Sequence, residues 1–271
     1  LYITNLGAIL LAKNLKDFER LNRKAVRVII YKGKNRLETI KEQESNRGYA
    51  TGFEGLIEYI NDQLPSNEEI GKALRQVVKV FPEIAIRELV ANMLIHQDFD
   101  LTGVGPMVEI FEDRIEFCNP GKPLIDPLRF IDHSPRSRNE KLAYFLRRIK
   151  VCEERGSGID KVVNSAEVFQ LPAPRFVTEE QFFKVILYDP KTLRQTNKED
   201  KVRACYQHCC LKYVSNEVMT NESLRGRFQI SESNYSIASR IIAETIHMSF
   251  IKPSDPENRS KKNASYIPFW A

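Results

Sequence analysis

The sequence lacks the features that would place a protein in a membrane or on a secretory route. No apolar run approaches the ~18 residues of a membrane-spanning helix, and no basic segment with a following apolar stretch opens the chain. The five cysteines are odd in number and show no paired spacing, so a disulfide framework is not expected. We therefore expect a cytoplasmic protein without a membrane partner.

A zinc site is not expected either. Cys205, Cys209 and Cys210 lie around His208, but structural zinc sites use paired Cys-x-x-Cys ligands, and that spacing is missing here. Cys205 and Cys209 are four residues apart and fit one buried face of a helix. We interpret these cysteines as packing residues.

Neither basic nor acidic residues are in large excess, but the net charge is concentrated near the C-terminus. The 271 residues include 41 Lys and Arg against 36 Asp and Glu, a net charge of +5, and 42% are hydrophobic. Residues 201–271 hold ten basic and six acidic residues, so they carry +4 of that total. The length suits two domains, and a basic tail on a near-neutral body indicates a nucleic-acid partner for the tail. A solvated basic surface would give the same pattern and stays as the alternative.

The hydrophobic patterns predict an α+β protein with a first domain over residues 1–190, a linker over 191–200 and a second domain over 201–271. Proline marks two helix boundaries, because Pro65 closes one helix and Pro82 suits the first turn of the next. The elements expected in the first domain are helices at 6–11, 56–64, 68–80, 82–97, 139–150 and 158–169, a strand at 25–31, and hairpins at 107–118 and 175–188.

The helix after Pro82 carries the first chemical signal. Its apolar residues form a core-facing stripe, while Glu88, Asn92 and His96 follow one another at four-residue intervals along another flank. A carboxylate one turn before an amide places a general base beside an oxygen ligand suited to Mg²⁺. Three polar residues that simply face water would have the same spacing.

A second signal is Gly156-Ser157-Gly158 at the start of an amphipathic helix. Glycines at a helix start let backbone N–H groups approach a ligand, and the helix dipole favours a phosphate there. A lone Gly-x-Gly is also common as a plain turn. The strand-linked glycine pattern of a dinucleotide fold and the Gly-Lys-Ser/Thr of a P-loop are both missing, so those two nucleotide folds are excluded.

In their order along the chain, these motifs resemble the ATP-binding domain shared by gyrase, histidine kinases and MutL, the GHKL superfamily. The chain resembles more closely a divergent branch of RecG-related proteins described as ATP-dependent DNA helicases or transcriptional regulators. The resemblance implies a Bergerat-type α/β sandwich, a mixed sheet with helices on one face. Without a P-loop, no helicase motor is expected. The segments that carry the resemblance, within residues 1–190, are Phe81–Phe99, Arg114–Gly121, Ser134–Asn139 and Glu153–Asp160.

The resemblance assigns roles at the matching positions. Glu88 would be the catalytic base, and Asn92 would hold Mg²⁺ between the phosphates of ATP. Asn119 stands where the superfamily has an aspartate that accepts a hydrogen bond from the adenine amino group; an amide oxygen can accept the same bond, although Pro120 stiffens the loop. The segment 122–153 takes the place of a lid. The expected nucleotide-binding residues are Asn92, His96, Asn119, Gly121, Arg136, Arg138, Gly156, Ser157 and Gly158. The two arginines would clamp phosphates, with exposed loop arginines as the alternative, and a purely structural role is the alternative for His96.

Residues 201–271 resemble a winged helix-turn-helix domain. A helix at 199–214, a short capped helix at 220–228, a longer helix at 231–248 and a basic strand pair at 250–268 follow in the order of that motif. Such a domain binds DNA, with its second helix in the major groove, although many winged helices bind only protein. We also expect Phe269 and Trp270 to pack on the first domain or on a partner subunit. The candidate DNA contacts are Arg225, Arg227, Ser233, Asn234, Tyr235, Arg240, Lys261 and Lys262.

The sequence thus predicts an ATP-binding, DNA-associated regulator in which nucleotide in the first domain changes how the tail presents its helix. Two alternatives stay open: an active Mg²⁺-dependent ATPase of the MutL or gyrase kind, and a nucleotide-free scaffold whose winged helix binds protein. By resemblance we also expect a homodimer. An upstream Schlafen/AlbA-type domain often accompanies such proteins, and the start at Leu1 is compatible with its removal.

Overall fold

The computed structural model describes residues 2–70, 75–152, 158–257 and 264–271. Within them, no helix is long and apolar enough to cross a membrane. The helices are α1 (Asn5–Leu11), α2 (Tyr49–Gln63), α3 (Glu83–His96), α4 (Glu140–Arg148), α5 (Gly158–Val168), α6 (Lys198–Val214), α7 (Asn221–Phe228) and α8 (Tyr235–His247). The strands are β1 (Arg27–Tyr31), β2 (Thr39–Glu44), β3 (Ser66–Ile70), β4 (Arg75–Lys79), β5 (Met107–Ile110), β6 (Arg114–Pro120), β7 (Arg175–Thr178), β8 (Phe182–Tyr188), β9 (Met219–Thr220), β10 (Ile251–Pro253) and β11 (Ser265–Pro268).

The chain divides into two compact units. The first comprises Leu1–Ser165 and Pro174–Asp189, and the second comprises Ala166–Ala173 and Pro190–Ala271. The sequence placed 166–173 in the first domain, whereas the structure groups these residues with the second. The reason lies in their partners, because Ala173 O accepts a hydrogen bond of 3.2 Å from Arg203 Nε and both residues belong to the second unit.

The first unit is built on a six-stranded mixed sheet in the order β2-β1-β5-β6-β8-β7. β1 and β5 run parallel, and the other neighbouring strands are antiparallel. The sheet and its helices confirm the predicted α+β class. In the register of β6 and β8, Asn119 lies opposite Phe183, so both side chains point to the same face of the sheet.

The other face of this sheet carries a buried ion cluster. Glu109 and Glu116 are cross-strand neighbours on β5 and β6, and both are buried. Arg36 binds the Glu109 carboxylate through Nε and Nη2, each at 2.7 Å, while Arg114 Nε binds Glu116 Oε1 at 2.6 Å. Two buried carboxylates side by side would repel each other, and the two guanidinium groups compensate their charge.

Helix α3 forms as its pattern predicts. Its predicted apolar stripe is buried, and Pro82 lies at the N-cap position, one residue before the helix. At the other end, Asn139 Nδ2 donates to Ile95 O at 2.7 Å and to Gln97 O at 2.8 Å. This side chain satisfies carbonyl groups that the end of a helix leaves without a partner.

The helix expected at 68–80 is wrong. The structure has the antiparallel strands β3 and β4 there, paired from Ser66↔Lys79 to Ile70↔Arg75. The sequence 77–80, Val-Val-Lys-Val, is rich in β-branched residues, which favour an extended chain over a helix.

The second unit contains α6, α7 and α8 with a three-stranded antiparallel sheet in the order β10-β11-β9. Thr220 caps α7 through a reciprocal capping box with Ser223. The sequence predicts an inward face of Ile237, Ile241, Ile242 and Thr245 for this helix, but Ile237 is 37% exposed and Ala238 is buried instead. The residues of α8 that are buried are Ala238, Ile241, Ile242 and Thr245.

The cysteines and the C-terminal aromatic residues pack inside this second unit. Cys205 and Cys209 are free thiols and fully buried, as predicted. Trp270 was expected on the first domain or on a partner, but its Nε1 donates to Tyr206 OH at 3.1 Å and its ring meets Tyr213 edge-on at 5.3 Å. Both partners lie on α6, so Trp270 packs within the second unit.

Candidate functional site

A cavity of about 190 Å³ in the first unit brings the predicted nucleotide residues together. Its walls come from α3, from the face of β6 and β8 that carries Asn119, from the start of α5, and from the segment between β6 and α4. Gly156 and Ser157 lie outside the described residues, and the other expected residues all line this cavity. They are Glu88, Asn92, His96, Asn119, Gly121, Arg136, Arg138 and Gly158.

One end of the cavity is formed by Glu88, Asn92 and Gly158. A Cβ atom added at Gly158 would lie 2.9 Å from Glu88 Oε2 and 3.4 Å from Asn92 Nδ2. The start of α5 therefore packs closely on both polar side chains of α3, and a residue with a Cβ atom would collide with Glu88 there. Lys161, one turn into α5, places its Nζ 3.4 Å from Glu88 Oε1. Lys161 is not among the predicted site residues, although its i+3 spacing from Gly158 puts it on the same side of the helix.

The other end of the cavity lies beside Asn119. This side chain is 7% exposed, and its Oδ1 is buried without a hydrogen-bond partner among the described residues. A buried carbonyl oxygen without a partner is unfavourable unless a ligand or water completes it. Phe130 and Phe183 line the same cavity, and their rings meet edge-on with centroids 5.5 Å apart. The aromatic wall next to an unsatisfied acceptor suits a flat, hydrogen-bonding group.

The segment between β6 and α4 is fastened to the end of α3 by Arg138. Its guanidinium donates to His96 O at 3.2 Å and to Lys122 O at 2.6 Å, and it pairs with Asp98 Oδ2 at 3.3 Å. Three of the five N–H donors of Arg138 are therefore engaged by the protein itself, which gives this side chain a structural role. Its contact with phosphates stays a prediction. Arg136 is exposed at the cavity wall, and no described residue bonds to its guanidinium.

His96 is neutral at the cavity wall. Burial, aided by the charge of Arg138, lowers the pKa of His96 to about 4. The imidazole thus brings no positive charge to an anion at neutral pH. It can still donate or accept one hydrogen bond.

Gly121 is needed for the turn that ends β6. Its φ of +105° is a conformation that other residues rarely adopt, and an added Cβ would lie 2.8 Å from the Asp98 Cβ. Its N–H donates to Gln181 O at 2.8 Å. Gly121 therefore shapes the cavity through its backbone, without touching a ligand through a side chain.

For one of the residues predicted to bind DNA, Arg227, the prediction is wrong. Arg227 is 6% exposed, pairs with Glu167 Oε1 at 3.4 Å and donates to Leu171 O at 2.8 Å. Arg227 thus holds the second unit together and cannot reach a phosphate. Burial lowers the pKa of its guanidinium, although Glu167 opposes the shift.

The remaining DNA candidates lie mostly on an exposed surface. Ser233, Asn234 and Tyr235 lie at the start of α8, with Tyr235 61% exposed, and Arg240 is exposed further along that helix. Arg225 is half-buried and binds Asn221 Oδ1 through Nε at 3.1 Å. Lys261 and Lys262 lie outside the described residues.

Comparisons with known proteins agree with an ATPase-type domain in the first unit. A family model described as "Putative ATP-dependent DNA helicase recG C-terminal" matches residues 103–187. The match covers β5 to β8 with the segment around the cavity, and it starts after the helix that holds Glu88 and Asn92. No curated protein sequence matches the chain.

The fold is also found among solved structures. The chain is similar to the DIP2311 protein of Corynebacterium diphtheriae, with a TM-score of 0.58 and 14% sequence identity over 97% of this chain. At that identity the likeness shows the fold alone. The chain spans 56% of the length of that structure.

Proposed function

We propose that this chain is an ATP-binding, DNA-associated regulator, in which a Bergerat-type nucleotide site in the first unit acts on a winged-helix reader in the second. The observation that carries the proposal is the cavity with two unlike ends. Glu88 and Asn92 meet the start of α5 at one end, and Asn119, whose buried Oδ1 has no partner among the described residues, lines the other. Phosphates suit the first end and a base suits the second.

The residues present fit ATP with Mg²⁺. Gly158 leaves the space that a Cβ would fill beside Glu88 and Asn92, and the backbone there can approach phosphate oxygens. Asn92 supplies an amide oxygen, a hard ligand that Mg²⁺ accepts together with phosphate oxygens and water. In the described residues, no three His, Cys, Asp or Glu side chains gather as a metal site, so Mg²⁺ would be held by Asn92 and the nucleotide rather than by a protein cage. Bound Mg²⁺ would neutralise phosphate charge.

Hydrolysis is the second candidate activity, and Glu88 favours it. Its carboxylate lies at the phosphate end of the cavity, where it can accept a proton from an attacking water. Lys161 holds that carboxylate in an ion pair at 3.4 Å, which fixes its direction but competes with the water for its oxygen atoms. We infer slow turnover, with binding as the main property.

DNA binding by the second unit rests on its helix order and on the exposed start of α8. Ser233, Asn234 and Tyr235 lead that helix, and Arg240 follows on an exposed position. These side chains could enter a major groove as a recognition helix does. Without Arg227 the basic surface is smaller than the sequence suggested, so phosphate contacts would be few.

Calorimetric titration of a non-hydrolysable ATP analogue with Mg²⁺ tests the nucleotide site. Wild type should bind, Asn92→Ala should lose about tenfold in affinity, and Asn164→Ala should bind as wild type. Asn164 is the matched control, because it is an exposed asparagine on α5 in the same unit. Equal heats for wild type and Asn92→Ala would refute the metal assignment, and no binding by wild type would favour the nucleotide-free scaffold.

Phosphate release separates the two activities. Glu88→Gln keeps the shape of the side chain but cannot accept a proton, so it should keep binding and lose any turnover. Turnover that survives in Glu88→Gln would show that another group acts as the base.

A further inference from the structure

Asn119, at the end of the cavity proposed to hold the base, carries an amide, and an amide can turn about its last side-chain bond. In the structure the Asn119 side chain makes no hydrogen bond to a described residue, and its Oδ1 is buried. A carboxylate offers acceptors only, whereas an asparagine offers an acceptor or a donor after a half-turn of its amide. Nothing in the described structure fixes the Asn119 amide in one of these two orientations.

The position of Asn119 matches the base end of a nucleotide. Asp98 N donates to Pro120 O at 2.8 Å, which holds the end of β6 against the end of α3. Glu88 lies about 12 Å away along that helix, two turns before His96, at a rise of 1.5 Å per residue. A nucleoside triphosphate with its phosphates at Glu88 would therefore bring its base to the region of Asn119.

We infer that this site accepts purine nucleoside triphosphates with either an amino or an oxo group at position 6, so that ATP and ITP or GTP bind with similar affinity. The inference rests on the proposed nucleotide site and specifies its substrate class. Adenine presents an N–H donor at position 6, which Asn119 Oδ1 would accept once the amide turns this buried oxygen towards the cavity. Hypoxanthine and guanine present an oxygen there, to which Asn119 Nδ2 would donate in the opposite orientation of the amide.

The aromatic wall of the cavity is compatible with binding of either type of purine base. Phe130 and Phe183 offer only ring surfaces, and a base can stack on them whatever its polar edge. Discrimination between bases is then left to Asn119. An aspartate at the same position would accept from an amino group and repel an oxygen, so it would select adenine.

Competition against a fluorescent trinitrophenyl-ATP, in millimolar Mg²⁺, tests the inference with ATP and ITP as competitors. ITP differs from ATP at the six-membered ring edge that Asn119 would face. In wild type the two competitors should differ by less than about threefold. In Asn119→Asp, ITP should become at least about tenfold weaker than ATP, which is the typical value of one lost hydrogen bond to a charged group.

Each outcome decides. If wild type already rejects ITP by tenfold or more while ATP displaces the probe, the inference fails and the proposed nucleotide site stands. The same holds if Asn119→Asp leaves the ITP-to-ATP ratio unchanged with a wild-type melting temperature. If neither nucleotide displaces the probe, or the probe does not bind, both the inference and the proposed function are overturned. The wild-type comparison needs no variant, so misfolding of Asn119→Asp does not remove the test.

Discussion

Two deeply buried polar side chains, one in each unit, have different surroundings. In the first unit, Asn119 Oδ1 is buried beside a cavity and has no partner among the described residues. In the second unit, Arg227 is buried just as deeply, but its Nη2 donates to Leu171 O and the opposite charge of Glu167 lies 3.4 Å from its Nε, although Nε itself makes no hydrogen bond to a described residue. An unsatisfied group at a cavity indicates a ligand, whereas a compensated one indicates a structural role.

The partners of Glu167 extend this contrast. Glu167 Oε2 also binds His208 Nδ1 at 3.0 Å, and His208 Nε2 lies 3.2 Å from Ser223 Oγ. The cluster therefore joins the end of α5, α6 and α7 within the second unit. The side chains of this cluster contact one another inside the second unit, so they are not available to bind DNA.

Removal of Arg227 should have the largest effect. Arg227→Met leaves Glu167 buried with only part of its charge compensated, so the second unit should lose about 3 to 5 kcal/mol in its free energy of unfolding. Trp270 is the only tryptophan of the chain and lies in that unit, so its fluorescence follows this unfolding step alone.

Arg225→Met is the matched control for Arg227, and it should change the stability by less than about 1 kcal/mol. The double variant Glu167→Leu/Arg227→Leu should be more stable than Arg227→Met, because it removes both charges. If Arg225→Met and Arg227→Met were equally stable and only Arg227→Met lost DNA binding, Arg227 would be a DNA contact after all.

Acid should weaken the first unit through His96. Its pKa of about 4 lies below the ordinary value of 6.5, so the unfolded chain binds the proton first as the pH falls. Stability is therefore full above pH 6.5 and decreases between pH 6.5 and about 4, by about 3 kcal/mol in total.

Proton NMR of the imidazole Cε1 signals measures the titration of His96 directly, with His96→Gln to assign the signal. One of the four histidines should have a midpoint near pH 4. A midpoint near 6.5 would mean that burial does not shift the pKa of His96, and the first unit would then lose no stability to acid through this residue.

The turn at Gly121 should be the next most sensitive position of the cavity. Gly121→Ala forces a side chain into a positive φ and towards the Asp98 Cβ, so the first unit should lose about 2 kcal/mol and nucleotide affinity with it. Gly55→Ala is the control, because Gly55 is helical, exposed and has no atom within 4 Å of an added Cβ; it should be neutral or slightly stabilising. Thermal unfolding followed by circular dichroism compares them, and similar melting temperatures would contradict the strain argument.

The helices and hairpins of the chain could be predicted because their patterns are local. The period of α3 fixed which of its faces is buried, and the turn residues fixed the hairpins of β5 with β6 and of β7 with β8. The region of β3 and β4 misled the prediction, since a short apolar run fits both a helix and a strand.

The candidate site was predicted only in part, for a physical reason. Glu88 and Asn92 are one helical turn apart, so their spacing in the sequence places them on one flank of α3. That Gly158 joins them was expected only from the family resemblance. The partners of Arg138 and Arg227 are main-chain carbonyls and a carboxylate brought near by packing, which no local pattern encodes. The sequence pattern of an arginine on the outer face of a helix is the same whether that arginine contacts DNA or packs against another helix.

Removal of Arg240 should have the smallest effect on stability, and it tests whether the second unit binds DNA. Arg240 is exposed on α8 and has no partner among the described residues, so Arg240→Ala should leave stability unchanged within about 0.5 kcal/mol. If Arg240 meets a phosphate, the plot of log affinity against log salt should become shallower by about one unit, with a few-fold loss of affinity near 0.1 M salt. Lys13→Ala is the control, an exposed lysine of the first unit, and it should leave that slope as it is. An unchanged slope in Arg240→Ala would favour a protein partner for α8, whose exposed Tyr235 and Ile237 then become its contact surface.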